Sequence, residues 1–586
     1  MRRHYHNAAR LARTLWVVGL LVGAAGVVAA AEPNEAPLLQ PQGLSRAGVY
    51  ALRQIDPNLT GQDVRVGVVC RSISYVGDAP LNDYRPNLAH ACFDGASVGL
   101  FDRGAPEAGI SAHATAVCSI LFGEDPEAVT PFLDPFLYQG AVPAAQASVY
   151  ELLHFGDRYI FNQEKPPLDV VTMSFGFQFE NWWTLGIESL AEHQGMLVVA
   201  GIGNGTDASD PPLYPGAGSN ALGVGVVNSV KTADPATNLT YFSLAHPDQS
   251  TSGPTIDGRS KPDVIAPGNC LVAQADDDHG YEMSGDWSSF ATPVAAGVVS
   301  LMVQAAKLDE NLSPVLSSDG GNCLMKAIVM NSASKLPYWH KGLLSTADDH
   351  ETPLDYVQGA GMVNAVEAYR LLKTGRVEPN SVSTGGWDLN GLDGTGAPQI
   401  YRIVVDDPAE KMLTTTLVWN RHYSAKYPFE RIVGTDTDLR IEVWAIDSTD
   451  STNDLLLDWC DSRIDNVEHI YVPTLPGYSV YDIVVSYGST ESDAEIHLPE
   501  RYALAWSVGA KQEADSIFWH DLSGDGVVDD NDLAILEANR QLGLTSPDAY
   551  LLGDLNTDGV IDNADEEILF ANRNRTAEWR QETAIN

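Results

Sequence analysis

The hydrophobic pattern of the chain changes twice, and each change indicates a different kind of structure. In the first part, residues 196–200 predict a buried strand, and residues 289–302 predict a buried helix whose small side chains let it lie close to a sheet. From about Gly386 to Val508 the helical periodicity disappears and short alternating runs take over. After Asp515, two acidic loops each lead into an apolar helix. The chain therefore divides into three differently patterned parts.

The middle part is predicted to form an antiparallel β-sandwich. Its apolar and polar residues alternate over short runs that are separated by polar turns, at 399–405, 413–419, 439–445 and 481–486. Regular short strands of this kind are typical of all-β sandwiches.

Three polar residues of the first part stand where predicted elements begin or end. Ser289 opens the buried helix, and Pro293 follows in its first turn, so the hydroxyl lies at the positive helix end. His113 opens a second apolar helix. Asn204 lies in a Gly-Asn-Gly turn directly after the buried strand. Any one of them alone is compatible with a structural role, but their order along the chain is informative.

The order His113, Asn204, Ser289 resembles that of the subtilisin-like serine proteases (subtilases). In that family the histidine motif reads H-G-T-H, the serine motif reads G-T-S-M-A-T-P, and an asparagine follows a strand between them. Further segments match in the same order, at 138–147, 169–176, 261–268, 325–331 and 358–365. The resemblance implies an α/β core with a parallel sheet over residues 32–375, and a jelly-roll-like sandwich at 386–510.

The same resemblance assigns roles to the matched residues. Ser289 would attack the scissile carbonyl, and His113 would take its proton and return it to the leaving amine. Asn204 would stabilise the oxyanion, a contribution of about 3–4 kcal/mol in such sites. Ser174 and Gly176 would lie in the strand that pairs with the substrate backbone.

The third member of the triad departs from the family pattern. An aspartate should end the first strand, but the sequence there reads V-R-V-G-V-V-C-R, which places Cys70 at that position. A neutral thiol cannot stabilise an imidazolium as a carboxylate does. Trp287 stands where the family has glycine two residues before the serine, and Ala114 replaces the glycine after the histidine.

Two questions about the Cys70 position remain open: whether another carboxylate replaces the missing aspartate, and whether the cysteine is paired. A carboxylate from Asp78, Asp83 or Asp94, which follow the strand, would restore the triad if it reached His113. Cys70 itself is either a buried thiol or half of a disulfide with Cys92 or Cys118. No pairing among these and the other three cysteines, Cys270, Cys323 and Cys460, follows from the sequence.

The tail, residues 515–575, contains a repeat with an offset of 33 residues. D-L-S-G-D-G-V-V-D-D-N-D at 521–532 is echoed by D-L-N-T-D-G-V-I-D-N-A-D at 554–565. Oxygen-bearing side chains at positions one, three and five, glycine at six and a carboxylate at twelve form the pattern of a calcium loop. We expect two calcium ions, held by Asp521, Ser523, Asp525, Val527 (backbone carbonyl) and Asp532, and by Asp554, Asn556, Asp558, Val560 (backbone carbonyl) and Asp565.

The paired loops resemble a dockerin, the small α-helical calcium-binding module that binds cohesin domains. An aspartate at position twelve fits dockerins better than sensor EF-hands. The residues Asp530-Asn531 and Asn563-Ala564 depart from the Ser-Thr pair common in cellulosome dockerins. A cohesin-like partner and a purely stabilising role therefore both remain open.

The first 31 residues read as a secretory signal peptide. Four arginines precede a short apolar run, and Ala29-Ala30-Ala31 offers a small-residue cleavage site. We expect an exported prokaryotic protein, secreted or periplasmic, with no membrane span after processing. The net charge of −43 disfavours nucleic acid and anionic membranes as partners and favours divalent cations.

Two hypotheses of function follow. The first is a secreted subtilase-family serine endopeptidase, acting on polypeptides, with activity impaired by Cys70. The second is an inactive subtilase fold that binds polypeptide or is docked on a scaffold. His113, Asn204 and Ser289 favour the first, and Cys70 and Trp287 favour the second.

Overall fold

The computed structural model describes residues 39–576 apart from short internal segments. These segments are 72–74, 77–78, 81–82, 104–108, 131–132, 163, 206–210, 228–231, 234–239, 242–249, 286, 337–338, 343–349, 407, 409–410, 433–436, 489–497, 511–519, 523–526, 542–552, 554 and 556–559. The predicted signal peptide therefore lies outside the described residues.

A seven-stranded parallel sheet organises the first part of the chain. Its strands are, in spatial order, β14 (Val264–Pro267), β11 (Leu222–Val227), β10 (Leu197–Gly201), β9 (Val170–Met173), β2 (Arg65–Cys70), β8 (Gln146–Glu151) and β5 (Val98–Phe101). The central strands are buried along almost their whole length, which explains their continuous Val-rich sequences. The predicted α/β core with a parallel sheet is confirmed.

Helices and short strands surround this sheet. The helices are α1 (Gln42–Arg46), α2 (Val49–Ile55), α3 (Ala112–Phe122), α4 (Leu152–Phe155, continued by a π-helical turn, Gly156–Phe161), α5 (Trp182–Gln194), α6 (Ser288–Lys307), α7 (Ser313–Leu316), α8 (Gly321–Asn331) and α9 (Ala365–Thr374). The short strands are β1 (Leu39–Gln40), β3 (Tyr75–Val76), β4 (Ala79–Pro80), β6 (Glu124–Thr130), β7 (Leu133–Gln139), β12 (Thr232–Ala233), β13 (Thr240–Tyr241), β15 (Leu271–Ala273) and β16 (Tyr281–Met283).

Helix α6 is the most buried of the long elements near the sheet. It packs on β9, β10, β11 and β14, and its small residues Ala291, Ala295 and Ala296 are fully buried. Within the described residues it is the one helix long and apolar enough to cross a membrane, and 89% of its apolar window is buried inside the protein. Its hydrophobicity is that of a core helix.

Two mainly antiparallel sheets follow, as the alternating pattern predicts. One contains β17 (Val382–Ser383), β19 (Gln399–Val404), β24 (Val480–Tyr487), β21 (Leu439–Ile446) and β22 (Leu455–Cys460). The other contains β18 (Gly386–Leu392), β25 (Glu500–Ala510), β20 (Lys411–Trp419) and β23 (Val467–Pro473). Residues from both sheets, among them Tyr401, Ile441 and Trp506, form one buried hydrophobic cluster.

Polar contacts join these sheets to the α/β core. His422 Nδ1 lies 2.7 Å from Glu192 of α5, and its Nε2 lies 3.0 Å from Glu500 of β25. The two carboxylates raise the pKa of His422 to about 10, which keeps this imidazole cationic at neutral pH. Helix α8 also packs on β20 and β25. Residues 37–586 accordingly form one compact unit.

The tail forms two helices, α10 (Asp530–Gln541) and α11 (Asn563–Ala571). Each begins at position ten of its acidic loop, so each loop runs into a helix, as the sequence predicts. Leu522, Val528, Ile535, Leu536, Ile561 and Leu569 form a small hydrophobic cluster between the two halves. The residues of the loop centres lie outside the described part of the chain.

Candidate active site

Three central strands end at one edge of the parallel sheet. Strand β2 ends at Cys70, β9 ends directly before Ser174, and β10 ends three residues before Asn204. The register pairs Met173 with Val69 on one side and with Ala200 on the other. The carboxyl ends of parallel strands form the crevice in which open α/β sheets carry their sites.

Ser289 reaches this edge from the first turn of α6. The helix approaches β10 closely because residue 201 is glycine: a Cβ at Gly201 would lie 2.8 Å from Thr292 Oγ1. The Thr292 hydroxyl in turn donates to the Ser288 carbonyl at 2.6 Å. The first backbone N–H groups of α6 thus lie above the strand ends, where the positive helix terminus favours negative charge.

Asn204 is held by the residue before the predicted nucleophile. Its Oδ1 accepts hydrogen bonds from the Ser288 backbone N–H at 2.9 Å and from the Ser288 hydroxyl at 2.7 Å. Two donors on one atom identify that atom as the carboxamide oxygen, so the NH₂ group points the other way. The Asn204 residue is exposed, and its NH₂ group makes no hydrogen bond to the described residues.

Ser289 and Ser174 make two reciprocal contacts. The Ser174 hydroxyl donates to the Ser289 carbonyl at 2.7 Å, and the Ser289 hydroxyl donates to the Ser174 carbonyl at 3.3 Å. These contacts hold the end of β9 against the start of α6. They also turn the Ser289 hydroxyl toward the strand end, so in this structure it donates to Ser174 and not to His113.

His113 is the second residue of α3, and its ring lies beside the start of α6. The Ser111 hydroxyl caps the helix by accepting from the Ala114 N–H at 3.1 Å. The ring centroid of His113 is 5.9 Å from that of Phe290, the residue after Ser289. Within the described part of the chain, the His113 imidazole makes no hydrogen bond. Burial lowers its pKa to about 4, and no charged neighbour among those residues opposes this shift.

Cys70 lies at the predicted aspartate position as a buried thiol. Its side chain is 6% exposed, and burial raises the pKa of the thiol to about 12, so it is neutral at any physiological pH. All six cysteines of the chain are buried, and Cys70, Cys92 and Cys118 are free thiols. Cys70 is therefore a buried thiol, and no disulfide joins it to Cys92 or Cys118.

The acidic residues that follow β2 do not reach His113 in the described structure. Asp83 is buried beside the loop that enters α3, with its Cβ 3.7 Å from the place a Cβ would take at Gly109. Asp94 is exposed and ends a 3-10 turn, Ala91–Phe93. Neither influences the pKa of His113. Asp78 lies outside the described residues.

The two other departures from the family motif have different surroundings. Trp287 is 36% exposed and precedes α6 as its N-cap residue. Its indole lies against Gly285, where an added Cβ would be 3.0 Å from Nε1. Ala114 is fully buried within α3. The indole therefore packs within the loop between β16 and α6, here called the serine loop, and stays partly at the surface.

Residues 102–361 match the sequence model of the subtilase family (peptidase S8). Pyrolysin from Pyrococcus furiosus is 27% identical over 35% of this chain and 15% of its own length. The subtilisin-like protease SBT6.1 of Arabidopsis thaliana is 27% identical over 45% of this chain and 22% of its own. Serine protease AprX of Bacillus subtilis is 28% identical over 25% of this chain and 36% of its own.

These matches support membership of the subtilase family. The chain matches about a third or less of the length of these relatives. Among solved structures, that of the patellamide maturation protease PatA aligns with 53% of this chain and 98% of its own, at 22% identity and a TM-score of 0.36. The strand that ends at Cys70 precedes the segment matched by the subtilase model, whereas His113, Asn204 and Ser289 lie inside it.

One residue that orients this subtilase-like site, Ser288, is not among those predicted from the sequence. Ser288 fixes Asn204 through both its backbone and its hydroxyl, and it is only 3% exposed. The sequence feature that could have indicated Ser288 is a second hydroxyl residue directly before Ser289. Its partner Asn204 is 84 positions away along the chain, so the contact needs the folded structure.

The predicted metal ligands in the tail are described only in part. The carboxylates of Asp532 and Asp565 are fully buried, each accepting a backbone N–H, from Asp529 at 2.7 Å and from Asp562 at 2.8 Å. Asp521 is buried, and Val527 pairs with Thr576. Val560 belongs to the described residues, and it is exposed. The other predicted ligands, Ser523, Asp525, Asp554, Asn556 and Asp558, lie outside the described residues, and the described residues alone contain no metal-binding cluster.

The low pKa of His113 leads to a testable prediction about Cys70. In the parent, the imidazole should titrate near pH 4 because burial disfavours the cation and no carboxylate compensates. Cys70→Asp should raise this pKa by about 1–3 pH units, since an adjacent carboxylate stabilises the imidazolium. NMR titration of the His113 ring protons measures the change. Cys70→Ser is the matched control and should leave the pKa near its parent value; an equal rise in both variants would contradict the electrostatic explanation.

Proposed function

We propose that this protein is an exported subtilase-family serine endopeptidase whose activity is impaired because Cys70 occupies the place of the triad carboxylate. The observation that carries the proposal is the geometry around Ser288 and Ser289. Asn204 is oriented by Ser288, and His113 stands beside Phe290, while Cys70 at the strand end is a buried neutral thiol.

The retained residues support acyl transfer. Ser289 would rotate from the Ser174 carbonyl toward His113, and its Oγ would attack the substrate carbonyl as the proton passes to the imidazole. The Asn204 NH₂ group and the backbone N–H groups at the start of α6 would stabilise the oxyanion. Residues 174–176, at the end of β9, would hold the extended substrate backbone.

The impairment follows from the charge that His113 gains. The imidazole becomes cationic in the transition state, in a place where burial already disfavours the cation. A triad carboxylate offsets that cost, and its replacement by a neutral side chain lowers kcat by about ten-thousand-fold in a serine protease of another fold. A base with a pKa near 4 is also a weak proton acceptor at neutral pH.

The alternative is an inactive subtilase fold that binds polypeptide or acts as a scaffold-docked component. The specific observation that favours it is the orientation of the Ser289 hydroxyl, which donates to the Ser174 carbonyl and leaves His113 without a hydrogen bond within the described residues. The strand edge at Ser174 and Gly176 would still accept an extended peptide in such a protein.

Peptide hydrolysis by four proteins tests the proposed activity. The parent should cleave an unfolded polypeptide slowly, and Cys70→Asp should raise kcat by orders of magnitude, up to about ten-thousand-fold, with a smaller effect on KM. Cys70→Ser is the control for loss of the thiol and should resemble the parent. Ser289→Ala should abolish the activity because it removes the nucleophile.

Labelling with a fluorophosphonate probe reports on Ser289 independently of the substrate chosen. An ordinary protease rate in the parent that Cys70→Asp does not increase would show that another carboxylate serves His113. If neither protein cleaves or is labelled, the polypeptide-binding alternative becomes the better explanation.

We also propose that the tail is a dockerin-like module that binds two calcium ions. The chemistry of the donor set supports it: each half contributes acidic loop residues and a fully buried carboxylate, Asp532 or Asp565, at the start of its helix. Each aspartate would close its loop around the ion, and calcium would neutralise the clustered negative charge. A cohesin-like partner of this module remains part of the proposal.

Calorimetric titration of the full chain with calcium tests the two sites. We expect two ions per chain, with Asp532→Asn and Asp565→Asn each removing or strongly weakening one of them, because carboxylate oxygens are the main ligands. Chelation should lower the helicity of the tail, since unneutralised carboxylates repel one another. An absence of calcium-dependent heat in the parent would contradict this prediction.

Export is proposed from the charged start, the apolar run and the small-residue end of residues 1–31. N-terminal sequencing of the protein recovered outside the cytoplasm should begin close to Glu32. Recovered protein that still begins at Met1 would contradict it.

A further inference from the structure

The two copies of the tail repeat have different surroundings. Each helix ends in the same tripeptide, Ala538-Asn539-Arg540 in α10 and Ala571-Asn572-Arg573 around the end of α11. Asn539 is 1% exposed and Ala538 packs on the main hydrophobic core of the protein. Ala571 and Arg573 of the second copy are exposed. Each residue of the tripeptide is thus more buried in the first copy than in the second.

Specific contacts hold the first copy on the α/β core. The Asn539 side-chain NH₂ group donates to Gln42 Oε1 at 2.7 Å, and both residues are buried. Arg46 Nη1 donates to the Asp521 carbonyl at 2.7 Å, also in a buried position. In the second copy, the Asn572 side chain donates to the Ile568 carbonyl at 2.9 Å and accepts from Arg575 Nη1 at 2.8 Å, and both partners belong to the same half of the tail. Buried hydrogen bonds that satisfy groups on both sides indicate a built interface.

Met283 connects this interface to the active site. Its side chain packs both on the main hydrophobic core and on the small hydrophobic cluster of the tail. Met283 ends β16, and six residues later the chain reaches Ser289. Between them, Ser284 Oγ donates to the Gly268 carbonyl at 2.9 Å and accepts from the Cys270 N–H at 2.9 Å, and the Gly285 N–H donates to Asn269 Oδ1 at 3.1 Å.

We propose that the tail docks on the protein's own α/β core through its first half, and that the packing of the tail's hydrophobic cluster on Met283 holds Ser284 and Gly285, on the way from β16 to Ser289, in place. The surface consists of Asp521, Ala538 and Asn539, and its counterpart consists of Gln42, Arg46 and Met283. Because the segment is short, a displaced Met283 loosens the Ser284–Gly285 turn and with it the start of α6. Folding of the tail is thereby coupled to the order of the serine loop.

The internal repeat provides a matched pair of variants for the test. Ala538→Arg places a long cation in the covered contact, and Ala571→Arg places the same side chain at the equivalent open position. In the full chain, Ala538→Arg should speed amide hydrogen exchange in α10 and in residues 283–290 by about tenfold, the effect of one to two kcal/mol. Ala571→Arg should leave both segments unchanged. Asn539→Ala and Asn572→Ala form a milder pair with the same expected order.

Amide exchange in α8 controls for general unfolding and should stay at the parent rate. If exchange in α8 also rises in Ala538→Arg, the comparison of Asn539→Ala with Asn572→Ala replaces it as the test of the proposal. Faster exchange in α10 with no change at 283–290 would overturn the proposal, because the tail would then detach without affecting the serine loop. Unchanged exchange in α10 would overturn the proposal as well, because the contact with the core would then not stabilise that helix. The measurement requires no catalysis, so it stands whether or not the protein is an active protease.

Discussion

The close approach of α6 to the carboxyl ends of β9 and β10 is the constraint on which the site depends. Gly201 leaves room for Thr292, and Ser174 and Ser289 exchange hydrogen bonds across the gap. Ser288 then fixes Asn204. A larger residue at position 201 would push the helix away, because interiors packed at crystal density transmit such a change directly. The predicted nucleophile and the predicted oxyanion donors therefore share one packing contact.

That arrangement is independent of the third triad position. Cys70 fills the end of β2 as one more buried apolar side chain, and the sheet register around it is regular. The fold loses nothing by the replacement of a carboxylate, since a buried charge would itself need compensation. In the proposed mechanism the consequence falls on His113, whose cation has no charged partner among the described residues. Fold stability and catalytic competence can thus be separated in this chain.

The parts that follow the subtilase-like core are bound tightly to it. His422 bridges Glu192 and Glu500, and α8 packs directly on the second sheet. The first half of the tail contacts α1, and the hydrophobic cluster of the tail packs on Met283. These contacts argue against independent modules on flexible linkers, because such modules would not share buried hydrogen bonds and hydrophobic packing with the core.

Sequence alone determined the strongest features of the protein: the α/β core, the sandwich strands, the tail helices, and His113, Asn204 and Ser289 with the departure at Cys70. These follow from local periodicity and from short motifs whose spacing is read along the chain. It did not determine the contact of Ser288 with Asn204, the orientation of the Ser289 hydroxyl, the free state of Cys70, or the packing of Ala538 on the core while the equivalent Ala571 is exposed. Those depend on contacts between residues far apart in sequence, and similar repeats meet different neighbours only once the chain has folded.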